Sequence, residues 1–193
     1  MQIQRKVKYE QELDKTFLAE IKRLSHCEQI DRCIQCGTCS SSCPMSVYMD
    51  FPPRKIIGLV KNGFKEEALK SFTLWLCSSC YTCQVRCPAQ IKITDVMYAL
   101  KRKAIESKVY PARFAIPILD QEMSKIIAKN GRNSEMRLIL RLYLKSGNPF
   151  NLLKMAPLGL KLLKTGRMSL KKERIKDKKQ LRNLLKAIKE NGQ

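Results

Sequence analysis

Two cysteine runs of identical spacing constrain this chain more than any other feature. The first reads Cys33-Ile-Gln-Cys36-Gly-Thr-Cys39-Ser-Ser-Ser-Cys43-Pro44, and the second Cys77-Ser-Ser-Cys80-Tyr-Thr-Cys83-Gln-Val-Arg-Cys87-Pro88. Both are C-x2-C-x2-C-x3-C-P, and together they use eight of the nine cysteines. Three thiolates at this interval each reach one corner of a cubane, which is the spacing that holds a [4Fe–4S] cluster. The fold must therefore close two loops around two inorganic groups.

In such runs the fourth cysteine, turned away by its proline, reaches the other cluster. The expected sets are Cys33, Cys36, Cys39 and Cys87 on one cluster, and Cys77, Cys80, Cys83 and Cys43 on the second. Structural zinc is the main alternative, since it also takes four thiolates. Zinc sites pair two C-x2-C hooks, however, and need neither a third hook at the same interval nor a trailing proline. Disulfides fail because triplets this close cannot all meet disulfide geometry. Cys27 stands apart, next to His26, the only histidine. It reads as an inert thiol in a reduced compartment rather than a ligand or nucleophile.

The 193 residues suit one compact unit plus an extension. Residues 1–9 are polar and basic and do not read as a signal peptide, and no apolar run approaches the ~18 residues of a membrane span. Cysteines in metal-site spacing fit a reducing, cytoplasmic setting. The formal charge of +21 is unevenly placed. Residues 1–100 carry 14 Lys and Arg against 10 Asp and Glu, and residues 101–193 carry 24 against 7.

Between the runs the pattern is helical, and strand signals are nearly absent. Pro53 suits the first turn of a helix bearing Ile56, Ile57 and Val60, with Gly63 as its stop. A second helix is expected from about Lys65 to Leu76, with Ala68, Leu69, Phe72, Trp75 and Leu76 apolar. Trp75 is expected to shield a cluster from water. Thr94 or Asp95 is expected to cap a helix carrying Val96, Met97, Leu100 and Ala104. Leu13, Phe17 and Ile21, four apart, mark a helix before the first run. The fold class is therefore all-α: cluster loops between short helices over residues 1–108, and a basic helical extension over 109–193.

Pro111, Pro117, Gly131, Gly147, Pro149, Pro157 and Gly166 punctuate the extension. Asn133-Ser134 caps an expected helix through Lys145 with Met136, Ile139, Leu140 and Tyr143 inward. Residues 151–164 are apolar with interspersed lysines. Ser169 is expected to cap a last helix, Leu170 to Glu190, bearing Ile175, Leu181, Leu184, Leu185 and Ile188. Its charge admits a solvated face, an anionic protein partner, or an anionic membrane or nucleic acid. Nucleic acid is disfavoured: Tyr110, Phe114, Tyr143 and Phe150 form no stacking platform at any evident spacing.

Residues 32–105 closely resemble the C subunit of heterodisulfide reductase. The resemblance rests on Cys33-Ile-Gln-Cys36-Gly-Thr-Cys39, Pro52-Pro53-Arg54-Lys55-Ile56-Ile57, Leu74-Trp75-Leu76-Cys77, Cys80-Tyr81-Thr82-Cys83, and Cys87-Pro88 followed by Asp95-Val96-Met97. The wider group is the α-helical ferredoxins. Gly131-Arg132-Asn133-Ser134-Glu135 and Ala156-Pro157-Leu158-Gly159-Leu160-Lys161-Leu162-Leu163-Lys164 look like the bacterial-type relatives more than the methanogen type. The resemblance implies a wire between two partners. One is the flavin/iron–sulfur A subunit of such a complex. The other is its cysteine-rich catalytic B subunit, which works on disulfides or other sulfur compounds.

The remaining residues agree with a non-catalytic wire. No cysteine follows Cys87, so the Cys-Cys-Gly motifs of the catalytic partner are lacking. There is no G-x-G-x-x-G dinucleotide loop, and His26 has no acid–base partner at recognisable spacing. A succinate dehydrogenase-like iron–sulfur subunit needs an N-terminal C-x4-C-x2-C, and only Cys27 precedes Cys33. A free ferredoxin-like carrier, or the iron–sulfur subunit of another dehydrogenase, is the alternative. The long extension favours a subunit, since a carrier needs only the cluster module.

Overall fold

Hydrogen bonds, some local and some from distant side chains, set where several helices start and stop in this chain. The computed structural model describes residues 8–24, 26–110, 114–147, 149–167 and 175–190. Among the described residues every regular element is helical. The chain divides into two units, Met1–Tyr110 and Pro111–Gln193.

The first unit holds α1 (Phe17–Lys22), α2 (Thr38–Ser41), α3 (Pro53–Lys61), α4 (Lys65–Lys70), α5 (Thr73–Leu76), α6 (Thr82–Val85) and α7 (Ile93–Glu106). Phe17, Ile21, Ile30, Ile56, Ile57, Val60, Leu74, Val96 and Leu100 are fully buried. Each such side chain contributes about 1.5–3 kcal/mol. The stripe Ile56, Ile57, Val60 is the buried face of α3, as its spacing predicts, and Pro53 opens that helix. Gly63 follows with φ +75, and a Cβ there would stand 2.7 Å from the Asp14 carbonyl oxygen. The same two residues are joined by the Asp14 N–H donating to the Gly63 oxygen at 3.0 Å.

Three sequence expectations are corrected in this unit. Leu13 lies outside α1, because the Asp14 carboxylate accepts the Thr16 N–H at 2.9 Å and starts the helix after it. Thr94 and Asp95 lie inside α7, which begins at Ile93 with Lys92 in the capping position. The expected single helix from Lys65 to Leu76 is two helices, broken at an extended Ser71. The cause is Asp50. Its carboxylate accepts from the Ser71 hydroxyl, the Phe72 N–H and the Thr73 N–H, each at 2.8 Å, and from the Thr73 hydroxyl at 2.6 Å. Those donors cannot serve a continuous helix and Asp50 at once. The break redirects the chain so that α5 runs straight into Cys77.

The second unit holds α8 (Ala115–Asn130), α9 (Glu135–Ser146), α10 (Pro149–Lys164) and α11 (Lys178–Glu190). Pro117 falls in the first turn of α8, where its missing N–H costs nothing. Pro157 does not end a helix; α10 runs through it while packing along α9. Ser134 takes the capping position of α9 but its side chain makes no capping hydrogen bond; no α9 residue is buried, and Leu140 is 46% exposed. The expected cap Ser169 and the start at Leu170 lie outside the described residues. The described helix begins at Lys178, because Asp177 accepts the N–H groups of Lys179 and Gln180 at 2.9 and 3.0 Å. Ile175 precedes it, non-helical, and its N–H donates to the Asn130 carbonyl at 3.0 Å.

Among the described residues, the buried carboxylate of this unit is Glu122 on α8, 2% exposed. Lys145 and Arg141 from α9 and Lys125 from α8 surround it, with Arg141 at 3.1 Å and Lys125 at 3.2 Å. The Lys145 hydrogen bond, against the cost of burial, holds its carboxyl down at about 2. An unfolded glutamate titrates near ~4.3. The folded value lies below the unfolded one, so this stabilisation is full above about 4 and is lost as pH falls toward 2.

Two outcomes follow. Asp50→Ala should destabilise the first unit by on the order of 2 kcal/mol in anaerobic denaturant titration, since several donors lose one acceptor. Glu122→Gln should lower stability at neutral pH by about 2 kcal/mol, discounted because the partner cations are half exposed. The gap to the parent chain should close as pH falls from about 4 toward 2.

Candidate iron–sulfur cluster site

Both cysteine runs adopt one backbone course. In the first, Gln35 and Gly37 have φ +57 and +87; in the second, Ser79 and Tyr81 have φ +57 and +61. These are equivalent positions, the residues before and after the second cysteine of each run. A left-handed residue on either side of that cysteine curls the loop, so that its side chains face one space. A one-turn helix then starts directly, α2 after Gly37 and α6 after Tyr81. It sets Cys39 and Cys83 at matching places.

The structure brings Cys33, Cys36, Cys39 and Cys87 around one cavity, with Ile57, Ile91 and Ile93 as apolar wall and Arg54 as its cation. Cys87 thus stands with the first run rather than its own. Cys43 stands by the second: Cys77 and Cys80 are the neighbouring thiols that act on it, and Cys77, Cys80 and Cys43 are those that act on Cys83. The two groups adjoin, since Cys83 also acts on Cys39.

The thiols surround a space instead of converging on a point. Among the described residues no three His, Cys, Asp or Glu side chains approach closely enough to hold a single metal ion. A single zinc ion needs its sulfurs around one point at ~2.3 Å. A cubane takes one thiolate at each iron and so asks for the wider arrangement. The residues present fit a [4Fe–4S] cluster.

Hydrogen bonds to sulfur repeat with the motif. Cys36 Sγ and Thr38 Oγ1 lie 3.4 Å apart. The hydroxyl and N–H of Thr38 hold the Cys36 thiol below its ordinary range, and Thr82 does the same for Cys80. Burial pushes Cys39, Cys43 and Cys83 up. Ligation therefore has to release protons from these three. The Gln35 amide donates to Cys33 Sγ at 3.4 Å, and the Ile91 N–H to Cys87 Sγ at 3.4 Å. Thr94 Oγ1 lies 3.8 Å from Cys83 Sγ. A lysine from a following long helix anchors the first cysteine of each run. Lys61 of α3 donates to the Cys33 carbonyl at 2.9 Å, and Lys101 of α7 to the Cys77 carbonyl at 3.4 Å.

Thr38, Thr82 and the two lysines were not singled out from sequence. The threonines were legible there, as the residue before the third cysteine in both runs. The lysines were not, because they come from distant helices. Trp75 is buried on α5 and packs edge-to-face on Tyr110 at 6.2 Å between ring centroids; it does not line the first cavity. Cys27 is 1% exposed, and burial raises its thiol to about 11. It is outside both groups. His26 lies at the surface, its Nδ1 3.0 Å from Lys92 Nζ.

Residues 29–91 match the family model of the 4Fe-4S dicluster domain. The chain is 36% identical over 123 residues to the C subunit of the H(2):CoB-CoM heterodisulfide,ferredoxin reductase of Methanothermobacter marburgensis, covering 58% of this chain and 66% of that one. It is 35% identical over 111 residues to the iron-sulfur C subunit of the CoB--CoM heterodisulfide reductase of Methanopyrus kandleri, covering 54% and 57%. It is 42% identical over 73 residues to the C subunit of the Ferredoxin:CoB-CoM heterodisulfide reductase of Methanosarcina mazei, covering 38% and 45%. The chain thus spans just under two thirds of the first relative's length and less of the others. The domain carries two [4Fe–4S] clusters, and the module that holds them is homologous to these iron–sulfur subunits. No described helix is long and apolar enough to cross a membrane.

Iron and acid-labile sulfide should equal two cubanes per chain, and Cys27→Ala should leave both unchanged. Loss of one cluster in that variant would overturn its exclusion. Thr38→Val and Thr82→Val keep the side-chain shape and remove the hydroxyl. Each should lower one midpoint potential by roughly 40 mV for one electron, on the order of 1 kcal/mol, in an EPR-monitored titration.

Proposed function

We propose that this electron-transfer protein, whose dicluster module is homologous to the iron–sulfur C subunits of heterodisulfide reductases, is the relay of a heterodisulfide reductase-like complex. Electrons pass singly between a flavin/iron–sulfur partner and a cysteine-rich catalytic partner that acts on a disulfide or another sulfur compound. The clusters supply one-electron carriers; the chain supplies their ligands, spacing and surroundings. Cys33, Cys36, Cys39 and Cys87 hold one, and Cys77, Cys80, Cys83 and Cys43 the other. The observation that carries this reading is Cys87 lining the cavity of the first run. Exchanging the fourth ligands ties the two loops into one body and keeps the clusters adjacent.

The chain's residues divide the remaining work. Exposed Cys36 and Cys80 mark where each loop comes nearest the surface, and so where electrons enter and leave. Buried Ile57, Ile91 and Ile93 exclude water from the first cavity. The second unit docks the relay on its partner. Residues 111–193 carry 20 Lys and Arg against 6 Asp and Glu. Leu144, Leu158 and Leu160 are more than half exposed. Cations steer the encounter with an anionic protein surface, and the apolar residues are buried by it.

The test is assembly in the native complex. Cys43→Ser should damage the cluster of the second run and spare that of the first. Loss of the first cluster alone would refute the exchanged ligands. Leu158→Asp with Leu160→Asp should keep both clusters but abolish stable copurification with flavin and catalytic subunits. Normal assembly in that variant would leave the second unit without a docking role and favour a freely diffusing carrier.

A further inference from the structure

The two loops repeat each other's backbone, threonines and lysine anchors, yet one feature is not repeated. Arg54 stands at the start of α3, where its N–H donates to Ser40 Oγ at 3.0 Å, fixing that residue against α2. Its side chain lines the cavity of Cys33, Cys36, Cys39 and Cys87. Its Cδ and Nη1 each lie 3.8 Å from where a Cβ on Gly37 would be, so the guanidinium extends along the loop beside Cys36. The residue at the matching offset in the second half is Tyr98, which carries no charge. The approach to the second loop holds an anion instead. Asp50, ionised and solvent-exposed, accepts from the Phe72 and Thr73 N–H groups, a few residues before Cys77.

Two cubanes with identical thiolate ligands differ in potential only through their surroundings: nearby charge, hydrogen bonds to sulfur, and burial. Each added electron makes a cluster more negative. A guanidinium at the rim of the cavity favours that electron, an effect lessened by solvent because Arg54 is exposed, and a carboxylate disfavours it. Thr38 and Thr82 make equivalent hydrogen bonds; Gln35 and the Ile91 N–H add two to sulfurs of the first set and Thr94 adds one at the second, and the charge of Arg54 acts in the same direction as that difference.

We infer that Arg54 gives the relay its polarity, making the cluster of Cys33, Cys36, Cys39 and Cys87 the higher-potential one, on which an electron entering at the second loop comes to rest. The step is a one-electron transfer: the second-loop cluster is oxidised by one electron as the first-loop cluster is reduced by one. No bond forms or breaks and no proton moves. The electron leaves at the Cys36 edge, so the electron acceptor faces Arg54 and Ile34, which is 68% exposed. This rests on the ligand sets proposed above. It is tested separately, because those sets are judged by which cluster is lost and this by which potential moves.

The experiment is an EPR-monitored redox titration of the full chain with both clusters, comparing Arg54→Gln and Arg54→Lys with the parent. In the parent, the higher-potential signal should be the one that survives Cys43→Ser. Arg54→Gln should lower that signal's midpoint by about 59 mV, a tenfold change in its one-electron equilibrium. The other midpoint should stay put, with iron content unchanged. Arg54→Lys, which keeps the charge, should restore most of the shift. If Arg54→Gln moves neither midpoint, or both equally, the inference is wrong. It is also wrong if the higher potential belongs to the signal lost in Cys43→Ser. Should Arg54→Gln lose iron, the parent assignment and the Arg54→Lys midpoint still decide, since a lysine variant with the two potentials reversed overturns it.

Discussion

The structure depends on bending each cysteine triplet around a cubane. A right-handed or extended backbone would send the three side chains in different directions. Left-handed residues on both sides of Cys36 and of Cys80 solve this, and of the four only Gly37 adopts that conformation freely. Gln35, Ser79 and Tyr81 each cost roughly 1–2 kcal/mol. Thiolate–iron bonding offsets that strain, and it is then coupled to folding of the loops. The surrounding helices serve this geometry. The one-turn helices α2 and α6 place the third cysteine, and α3 and α7 each lend a lysine to the first.

Near-equivalence of the two loops is useful to a relay, and so are its breaks. In the proposed ligand sets, the exchanged fourth cysteines hold the clusters adjacent within one body. Threonine hydroxyls on equivalent sulfurs keep the two sites alike. Arg54 at one loop, and Asp50 at the approach to the other, make them unlike. Asp50 serves twice: it breaks the chain between α4 and α5, so that α5 delivers Cys77, and it leaves a negative charge near that approach.

The second unit follows a different physical logic. Its polar centre is one buried carboxylate under three cations, and much of its apolar surface is not buried within the chain. Helices α9 and α10 expose leucines among lysines. Such a surface fits the docking role proposed for this unit.

The sequence by itself determined the cofactor, because cysteine spacing is a local property and cubane geometry requires that spacing. It also determined the helical class, the stripe of α3, its proline start and its glycine stop, since period and capping act within a few residues. Tertiary structure alone decided what depends on residues distant in the chain. The helix expected from Lys65 to Leu76 is split by Asp50, whose carboxylate lies 21 residues before Ser71. Lys61 and Lys101 reach the cysteine loops from helices that carry no sign of that role, and Arg54 stands at the first cavity from the start of α3, which Ser40 holds by the Arg54 N–H. Pro157 looked like a stop and is spanned, because packing on α9 outweighs one lost backbone hydrogen bond. Spacing named the candidate ligands; the fold decided which charges surround them.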